Sequence, residues 1–212
     1  SEGSLPGVEI IEAAHPVPDE NSVHAAERAL QLTTGLTEKD GVLLLLSGGG
    51  SALFEKPLIP LVELRRITDA LLACGADISE INTIRKRLSG VKGGRFAAHC
   101  APAHVEALLL SDVLSDRPDV IASGLSAPDL ATASEARAIV SRYSLPLTEE
   151  ARRFLSAETP KDLPHVRNRI IGGVSVLCGH AAAACDALGY KPEILTQSLS
   201  CTARDAGVFL AC

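Results

Sequence analysis

The chain alternates between short apolar runs and longer stretches in which apolar residues recur with a helical period. The apolar or β-branched runs predict strands at 8–11, 42–46, 105–110, 169–171 and 193–196. Helical periodicity predicts helices at 22–34, 61–74, 79–88, 132–143, 148–156 and 174–188. Strands that alternate with helices in this way are typical of βα units around a parallel sheet. We therefore expect one α/β domain over residues 1–212, with a mostly parallel sheet.

Signals at the ends of these segments refine the prediction. The run 42–46 is apolar throughout, which predicts a central strand buried on both faces. Asn21 or Ser22 is predicted to cap the first helix, because short polar side chains accept hydrogen bonds from a helix N-terminus. The segment 156–165 contains two prolines and is predicted to be a loop.

Composition limits the classes of function. With 46% hydrophobic and 22% charged residues, the chain is typical of a globular protein. A net charge of −6 argues against a nucleic-acid-binding surface, although a local cleft can still attract an anion. The longest apolar run is far shorter than the about 20 residues of a membrane helix, and the N-terminus has no signal-peptide pattern. We therefore expect a cytoplasmic protein.

The six cysteines lie far apart and form no Cys-x-x-Cys pair. They are interpreted as small buried thiols, since disulfides are rare in cytoplasmic proteins. His99 and His104 have no carboxylate at a metal-ligand spacing, so we assign no metal site to them.

A glycine-rich turn, Ser47-Gly48-Gly49-Gly50-Ser51, directly follows the run 42–46. Three consecutive glycines suggest a backbone that needs a positive φ or that approaches another group closely. Free N–H groups at the carboxyl end of a strand form a concave anion site, and a following helix adds partial positive charge. The turn matches neither a Walker loop nor a dinucleotide fingerprint. A tight turn without a ligand is the alternative, but the position after a strand favours anion binding.

A basic segment at 80–95 is the second candidate for binding chemistry. Glu80 and Asn82 lie within about one helical turn of Arg85 and are predicted to orient it. An exposed basic helix without a ligand is the alternative. Arginine offers a bidentate fork and lysine a point charge to an anion. Four cations are thus predicted to form a positive pocket for phosphate or carboxylate: Arg85, Lys86, Lys92 and Arg95.

Asp112 follows the strand predicted at 105–110. A carboxylate at a strand end is a hard oxygen ligand, suited to Mg²⁺ that keeps several waters and bridges to phosphates. The same side chain could instead cap a turn. His15, in the proline-rich turn before the first helix, is interpreted as structural rather than as a proton carrier.

Six motifs occur in an order that resembles the D-glycerate 2-kinase family, whose members have also been described as hydroxypyruvate reductases. The resemblance covers nearly the whole chain, and the ordered set is far more specific than any single motif. In chain order the motifs are 15–21, 46–53, the helix segment 80–89 with Arg85-Lys86, Lys92-Gly93-Gly94-Arg95, Ser111-Asp112-Val113 and 121–124.

This resemblance implies ATP- and Mg²⁺-dependent transfer of the γ-phosphoryl group to the 2-hydroxyl of D-glycerate, which gives 2-phosphoglycerate. It also implies a Rossmann-like three-layer α/β domain beside a smaller C-terminal domain, with the active site in the cleft between them. The expected catalytic residues are Arg85, Lys86 and Asp112, and Asp112 is also the expected Mg²⁺ ligand. The expected phosphate or substrate ligands are Ser47, Gly48, Gly49, Gly50, Ser51, Asn82, Lys92 and Arg95.

The expected partners are accordingly D-glycerate and a nucleotide, and neither nucleic acid nor a membrane. Assembly into a homo-oligomer is left open by the sequence. NAD(P)H-dependent reduction of hydroxypyruvate is an alternative function, but no dinucleotide fingerprint with a ribose-binding acid follows a strand. A non-catalytic anion-binding module is a third hypothesis.

The chain departs from the family pattern in three respects. The family's upstream Gly-Lys-Ala segment, whose lysine is a catalytic candidate, is absent. The chain also stops at Cys212, before the C-terminal domain that the family implies. The family's Val-Pro-Gly-Asp and Ser-Gly-Pro-Thr are replaced by 113–116 and 123–126, so the resemblance does not predict that loop. We therefore expect a partial domain with little kinase activity by itself.

Overall fold

Three parallel strands organise the chain, with β1 (Gly41–Leu46) and β3 (Val166–Gly172) on either side of β2 (His104–Leu110). Leu44 lies opposite Ala107 in the β1–β2 pair, and Ala107 lies opposite Asn168 in the β2–β3 pair. The computed structural model describes residues 6–114 and 116–211. The predicted α/β class and parallel sheet are confirmed.

Helices connect and flank these strands. The segments predicted at 61–74, 79–88, 132–143, 148–156 and 174–188 are each helical to within a residue or two, as amphipathic periodicity indicates. In chain order the described helices are α1 (Glu20–Leu32), α2 (Gly50–Leu53), α3 (Leu61–Ala73), α4 (Ile78–Arg87), α5 (Arg95–His99), α6 (Ala133–Arg142), α7 (Glu149–Ser156), α8 (Val174–Ala187) and α9 (Ala203–Ala211), with a 3₁₀ turn at Ile121–Ser123.

The first helix begins earlier than predicted. Asp19 is the N-cap, and its carboxylate accepts a hydrogen bond from the backbone N–H of Ser22 at 2.9 Å. The hydroxyl of Ser22 in turn accepts from the N–H of Asp19 at 3.1 Å. These reciprocal bonds form a capping box, so the prediction of Asn21 or Ser22 as the cap is wrong.

The prediction of a central, doubly buried strand at 42–46 is also wrong. Within the described residues β1 is an edge strand, and β2 is the central one. Val42 and Leu44 face the core, whereas Leu43 and Leu45 on the opposite face are 63% and 66% exposed. An apolar run therefore shows that a strand forms, but not which layers cover it.

Two further predicted strands, at 8–11 and 193–196, do not form in the described structure. Both segments are irregular and pair with no strand, and Val8 and Ile10 are exposed. A strand depends on hydrogen bonds from a neighbouring strand, which a short apolar run cannot supply by itself. The predicted loop is confirmed at 157–165, just beyond α7.

The buried side chains form two clusters. One packs β1 and β2 against α1 and α5, through residues such as Ala26, Phe96 and Val105. The other lies among α3, α4, α6 and α7, and contains residues such as Ile67 and Ile84. α4 therefore contributes to the cluster among the helices, and the chain that follows its carboxyl end lies beside the sheet.

The cysteine prediction holds at one position of the five that are described. Cys100 is buried, whereas Cys74 and Cys201 are exposed and Cys178 and Cys185 are partly exposed. Cys212 lies outside the described residues. None of the helices in the described ranges combines the length and the hydropathy that crossing a membrane would take.

Candidate anion site at the carboxyl end of the sheet

The glycine turn and Asp112 meet at the carboxyl end of β1 and β2. Gly49 has a φ of 84°, in the left-handed region that glycine adopts most readily. A methyl group added at Gly48 would lie 2.7 Å from Oδ2 of Asp112. Gly48 therefore provides the room for this carboxylate, and the structure brings together the two features that the sequence placed after separate strands.

Backbone N–H groups of the turn are available for a ligand. Those of residues 48–51 donate to no acceptor among the residues that the structure describes. They lie at the start of α2, after the carboxyl end of a parallel strand, where successive N–H groups form a concave anion site. The nearby carboxylate of Asp112 is exposed and repels an isolated anion. An anion with a bound cation therefore fits this site better.

Ser51 anchors the end of the turn. Its hydroxyl lies 2.7 Å from the hydroxyl of Ser123, which is fully buried in the 3₁₀ turn. A methyl group at Gly50 would lie 2.7 Å from Cβ of Ala122, so the backbone at Gly50 also packs closely against Ala122. The segment 121–124, one of the six motifs of the resemblance, is thus in contact with the glycine turn.

His15 also lies against the turn. A methyl group at Gly49 would lie 3.4 Å from Cδ2 of His15. The sequence interpretation treated His15 as structural, and nothing in its local sequence indicates that the chain folds it onto a turn more than 30 residues later. Its position makes it an additional candidate for contact with a ligand.

Asp116 is a second carboxylate at this end of the sheet. A methyl group at Gly173, after β3, would lie 2.6 Å from Oδ1 of Asp116. Oδ2 accepts a hydrogen bond from the hydroxyl of Ser175 at 3.3 Å, whereas Oδ1 is buried and has no described hydrogen-bond partner. Asp116 was not assigned to the site from the sequence, although its spacing of four residues from Asp112 was a usable signal.

Arg85 lies behind the turn. Its Nη2 donates to the carbonyl of Ser51 at 3.0 Å and lies 3.9 Å from Oε2 of the fully buried Glu55. Burial lowers the pKa of Arg85, and the negative charge of Glu55 opposes that effect. Arg85 therefore holds the backbone of the turn from inside the protein.

Glu80 does not orient Arg85. Its carboxylate accepts from the backbone N–H of Asp77 at 3.1 Å and from the Tyr143 hydroxyl at 2.7 Å, and it pairs with Arg142. This prediction is wrong because Glu80 completes the N-terminal cap of α4 and joins it to α6. Asn82 lines a separate cavity, beside Lys86 and Asp119.

Lys92 and Arg95 are engaged inside the protein. Lys92 is fully buried, where its Nζ donates to the carbonyl of Phe54 at 2.8 Å and lies 3.3 Å from Glu55. Burial is also the main cause that lowers the pKa of Lys92. Arg95 donates from Nη1 to the carbonyls of Lys86 at 2.7 Å and Ser89 at 2.6 Å, and so satisfies the end of α4.

Lys86 is paired through Asp129. Its Nζ donates to Oδ1 of Asp129 at 3.1 Å, while Arg87 donates to Oδ2 at 3.2 Å and the hydroxyl of Thr159 to Oδ2 at 2.8 Å. Burial by itself would raise the pKa of Asp129, but Lys86 and the hydrogen bonds from Thr159 and the Ala131 N–H leave that pKa below its usual value. Arg85 and Lys92 thus both face Glu55, whereas Lys86 pairs with Asp129 and Arg95 binds backbone carbonyls. The described structure does not gather the four cations around one common pocket.

These features define a class of protein: an α/β domain with a glycine turn and two carboxylates at the carboxyl end of a parallel sheet. More specifically, the chain belongs to the family described as a domain of unknown function (DUF4147), which matches residues 1–156.

Several of the relatives, and one of the solved structures, carry glycerate kinase names. D-glycerate 2-kinase of Thermotoga maritima is 50% identical over 100% of this chain and 51% of its own length. Glycerate 2-kinase of Pyrococcus horikoshii is 40% identical over 97% of the chain and 49% of its own length. The crystal structure of the Thermotoga maritima glycerate kinase superimposes with a TM-score of 0.93, at 50% identity over 100% of this chain and 51% of that one.

These comparisons confirm the resemblance stated from the sequence motifs. The chain spans about half the length of the relatives it matches.

Proposed function

We propose that this protein is a glycerate 2-kinase, which transfers the γ-phosphoryl group of ATP to the 2-hydroxyl of D-glycerate. The observation that carries the proposal is the contact of Asp112 with Gly48, in a turn whose N–H groups at 48–51 donate to no acceptor in the described part of the chain. Phosphoryl transfer requires mainly N–H donors and a cation around the phosphates, with little covalent chemistry from the protein. The 50% identity to D-glycerate 2-kinase over the whole chain supports the same assignment.

Mg²⁺ fits the residues at this edge of the sheet. Asp116 has a buried carboxylate oxygen with no hydrogen-bond partner among the described residues, and Asp112 presents an exposed carboxylate beside the turn. Mg²⁺ is commonly held by one or two carboxylates, together with waters and substrate phosphates. We therefore propose that Asp112 and Asp116 hold Mg²⁺, which would neutralise charge on the nucleotide phosphates.

The chain's own residues have distinct proposed roles. The N–H groups of residues 48–51 bind phosphate oxygens, and Ser51 with Ser123 fixes the end of the turn. Arg85 positions the turn through the Ser51 carbonyl. We leave Lys86, Lys92 and Arg95 outside the proposed site, because each already has buried partners, and Asn82, because it lines another cavity.

The organisation of the protein is part of the same proposal. We take residues 1–212 as part of a Rossmann-like N-terminal domain, which is supported by the parallel sheet and by the coverage of about half of each relative. We also propose a cytoplasmic location, in keeping with the ordinary globular composition of the chain. Homo-oligomer formation stays open.

A kinase assay on the full-length gene product tests the function. With D-glycerate and Mg²⁺–ATP, we expect ADP release coupled to formation of 2-phosphoglycerate, which phosphorus NMR distinguishes from 3-phosphoglycerate. L-glycerate serves as the substrate control. Oxidation of NADPH by hydroxypyruvate, without phosphoryl transfer to glycerate, would instead support the reductase alternative.

A further inference from the structure

A separate cavity of about 200 Å³ lies behind the glycine turn. Its walls come from residues 16–18, α3 and α4, and are mainly apolar, with Val17, Leu64 and Ile81 among them. Arg85 is part of the lining, and its side chain is 13% exposed. The cavity therefore combines an apolar interior with one nearly buried guanidinium.

The charges around Arg85 leave room for an anion. Arg85 and Lys92 both face the carboxylate of Glu55, at 3.9 Å and 3.3 Å. Glu55 and Lys92 are fully buried, so two cationic side chains share one buried carboxylate. Nε of Arg85 is buried and donates to no acceptor among the described residues. A ligand does not reach this enclosed Nε, but Arg85 lines the cavity with a side chain that is 13% exposed, where a second carboxylate would pair with the charge of the guanidinium.

The other polar groups of the cavity do not fill this role. Arg65 donates from Nε to the carbonyl of Pro18 at 3.0 Å. Asp69 is exposed, and within the described ranges it forms no ion pair with either arginine. The hydroxyl of Thr68 donates to the carbonyl of Leu64 at 2.9 Å, within α3.

We propose that this cavity binds a small carboxylate with an apolar body, in addition to the substrates of the kinase reaction. An apolar cavity of about 150 Å³ accommodates benzene, so about 200 Å³ admits an aromatic ring with one carboxylate. The apolar walls hold the body of the ligand, and the guanidinium of Arg85 binds its carboxylate. Glycerate has no apolar body and does not match these walls.

Two contacts connect the lining of the cavity to the glycine turn. Arg85 lines the cavity and donates to the Ser51 carbonyl of the turn. Pro16 lines the cavity, and its neighbour His15 lies against Gly49. The cavity is therefore next to the glycine turn but separate from it, so the ligand and a phosphate at the turn would not compete for the same space.

Calorimetry with benzoate, applied to the full-length gene product, tests the proposal. We expect a Kd of about 0.1 to 1 mM for a ligand of this size. The neutral benzamide has the same shape, and we expect it to bind at least about tenfold more weakly because it lacks the charge that Arg85 recognises. This comparison needs no substitution.

Two variants of α3 locate the binding site. Thr68→Phe places a ring in the cavity and is expected to weaken benzoate binding at least about tenfold, because the added side chain fills the volume of the ligand. Val62→Phe is the matched control, since Val62 lies on the same helix but outside the cavity and is 73% exposed. The affinity of this variant for benzoate should stay within about twofold of the wild-type affinity.

Each outcome decides the proposal. Binding of benzoate to the wild type and to Val62→Phe, with loss in Thr68→Phe and with benzamide, supports it. No heat with benzoate up to about 10 mM, equal binding of benzamide, or unchanged binding in Thr68→Phe would overturn it. Displacement of benzoate by Mg²⁺–ATP in direct competition would also overturn it and assign the anion to the glycine turn. None of these measurements depends on kinase activity.

Discussion

The hydroxyls of Ser51 and Ser123 lie 2.7 Å apart, although the two residues are separated by 72 positions in the chain. Ser51 ends the glycine turn after β1, and Ser123 is fully buried in the segment that follows β2. The bond therefore joins the segments that leave two neighbouring strands at the same end of the sheet. It holds the turn in place without occupying the turn's N–H groups.

Ser123→Ala removes one partner of this bond and leaves the hydroxyl of Ser51 without its partner. We expect the free energy of unfolding to fall by about 1 kcal/mol, and kcat/KM for ATP to fall by about tenfold because the turn is less well positioned. Chemical denaturation and the kinase assay measure the two effects. Ser126→Ala is the matched control, since Ser126 is buried and donates to Asn168 at 2.6 Å, away from the turn. An equal loss of kcat/KM in both variants would contradict a specific role for Ser123.

Gly48→Ala tests the contact with Asp112. The added methyl group would lie 2.7 Å from Oδ2 of Asp112, so the carboxylate must move. We expect kcat/KM to fall by about 10- to 100-fold, with a higher Mg²⁺ concentration needed for half-maximal rate. Gly41→Ala, at the start of the strand that precedes the turn, meets no atom within 4 Å and should retain activity. A wild-type Mg²⁺ dependence in Gly48→Ala would show that the position of Asp112 does not matter.

Asp129→Asn tests the buried network of α4. The substitution leaves the buried cations of Lys86 and Arg87 without their shared carboxylate, so we expect a loss of about 3 to 5 kcal/mol in the free energy of unfolding. Urea denaturation measures this loss. Asp162→Asn, an exposed carboxylate in the loop 157–165, should change stability by less than about 0.5 kcal/mol. Similar stabilities of the two variants would contradict the account of the network.

The same network predicts a pH dependence. The pKa of Asp129 is lower in the folded protein than its ordinary value of 3.8, so the unfolded chain binds the proton more readily. The stabilisation is therefore complete above about pH 4 to 5 and is lost as the pH falls through the folded-state pKa. We expect acid denaturation to be less steep in Asp129→Asn than in Asp162→Asn. Identical slopes would argue against this contribution of Asp129.

Cysteine reactivity checks the burial of the sheet core. Burial raises the pKa of Cys100, and the thiol is inaccessible in the folded protein, whereas Cys74 is exposed. With iodoacetamide at about pH 8, we expect Cys74 to be alkylated first and Cys100 to react only after unfolding. Peptide mass spectrometry at successive times distinguishes the two sites. Early alkylation of Cys100 would contradict the packing of β1 and β2 against α5.

The sequence predicted best those features that depend on local periodicity. α3 and α4 were found because their apolar residues recur on one face, and the glycine turn was placed because it directly follows an apolar run. Asp112 was singled out because it follows another apolar run, and the parallel pairing of β1 and β2 places it at the same edge as the turn. These inferences need only a few neighbouring residues and one rule of topology.

Inferences about partners far along the chain were less successful. Lys86 was predicted to bind an anion, but its carboxylate partner, Asp129, lies 43 positions away and is shared with Arg87. Lys92 likewise reaches a buried carboxylate, Glu55, that no local pattern connects to it. A basic segment has the same appearance in sequence whether its charges face a ligand or a buried acid. The edge position of β1 was missed for a similar reason, because strand order depends on contacts between distant segments.

The central claim is that phosphoryl transfer occurs at the glycine turn with Mg²⁺ held by Asp112. The most direct test is the rate of ADP release with D-glycerate as a function of Mg²⁺ concentration, for the full-length wild type, Asp112→Asn and the exposed control Asp162→Asn. We predict at least about a 100-fold lower kcat/KM in Asp112→Asn, partly recovered at high Mg²⁺, and wild-type behaviour in the control. Equal rates and equal Mg²⁺ dependence in the wild type and Asp112→Asn would contradict the claim.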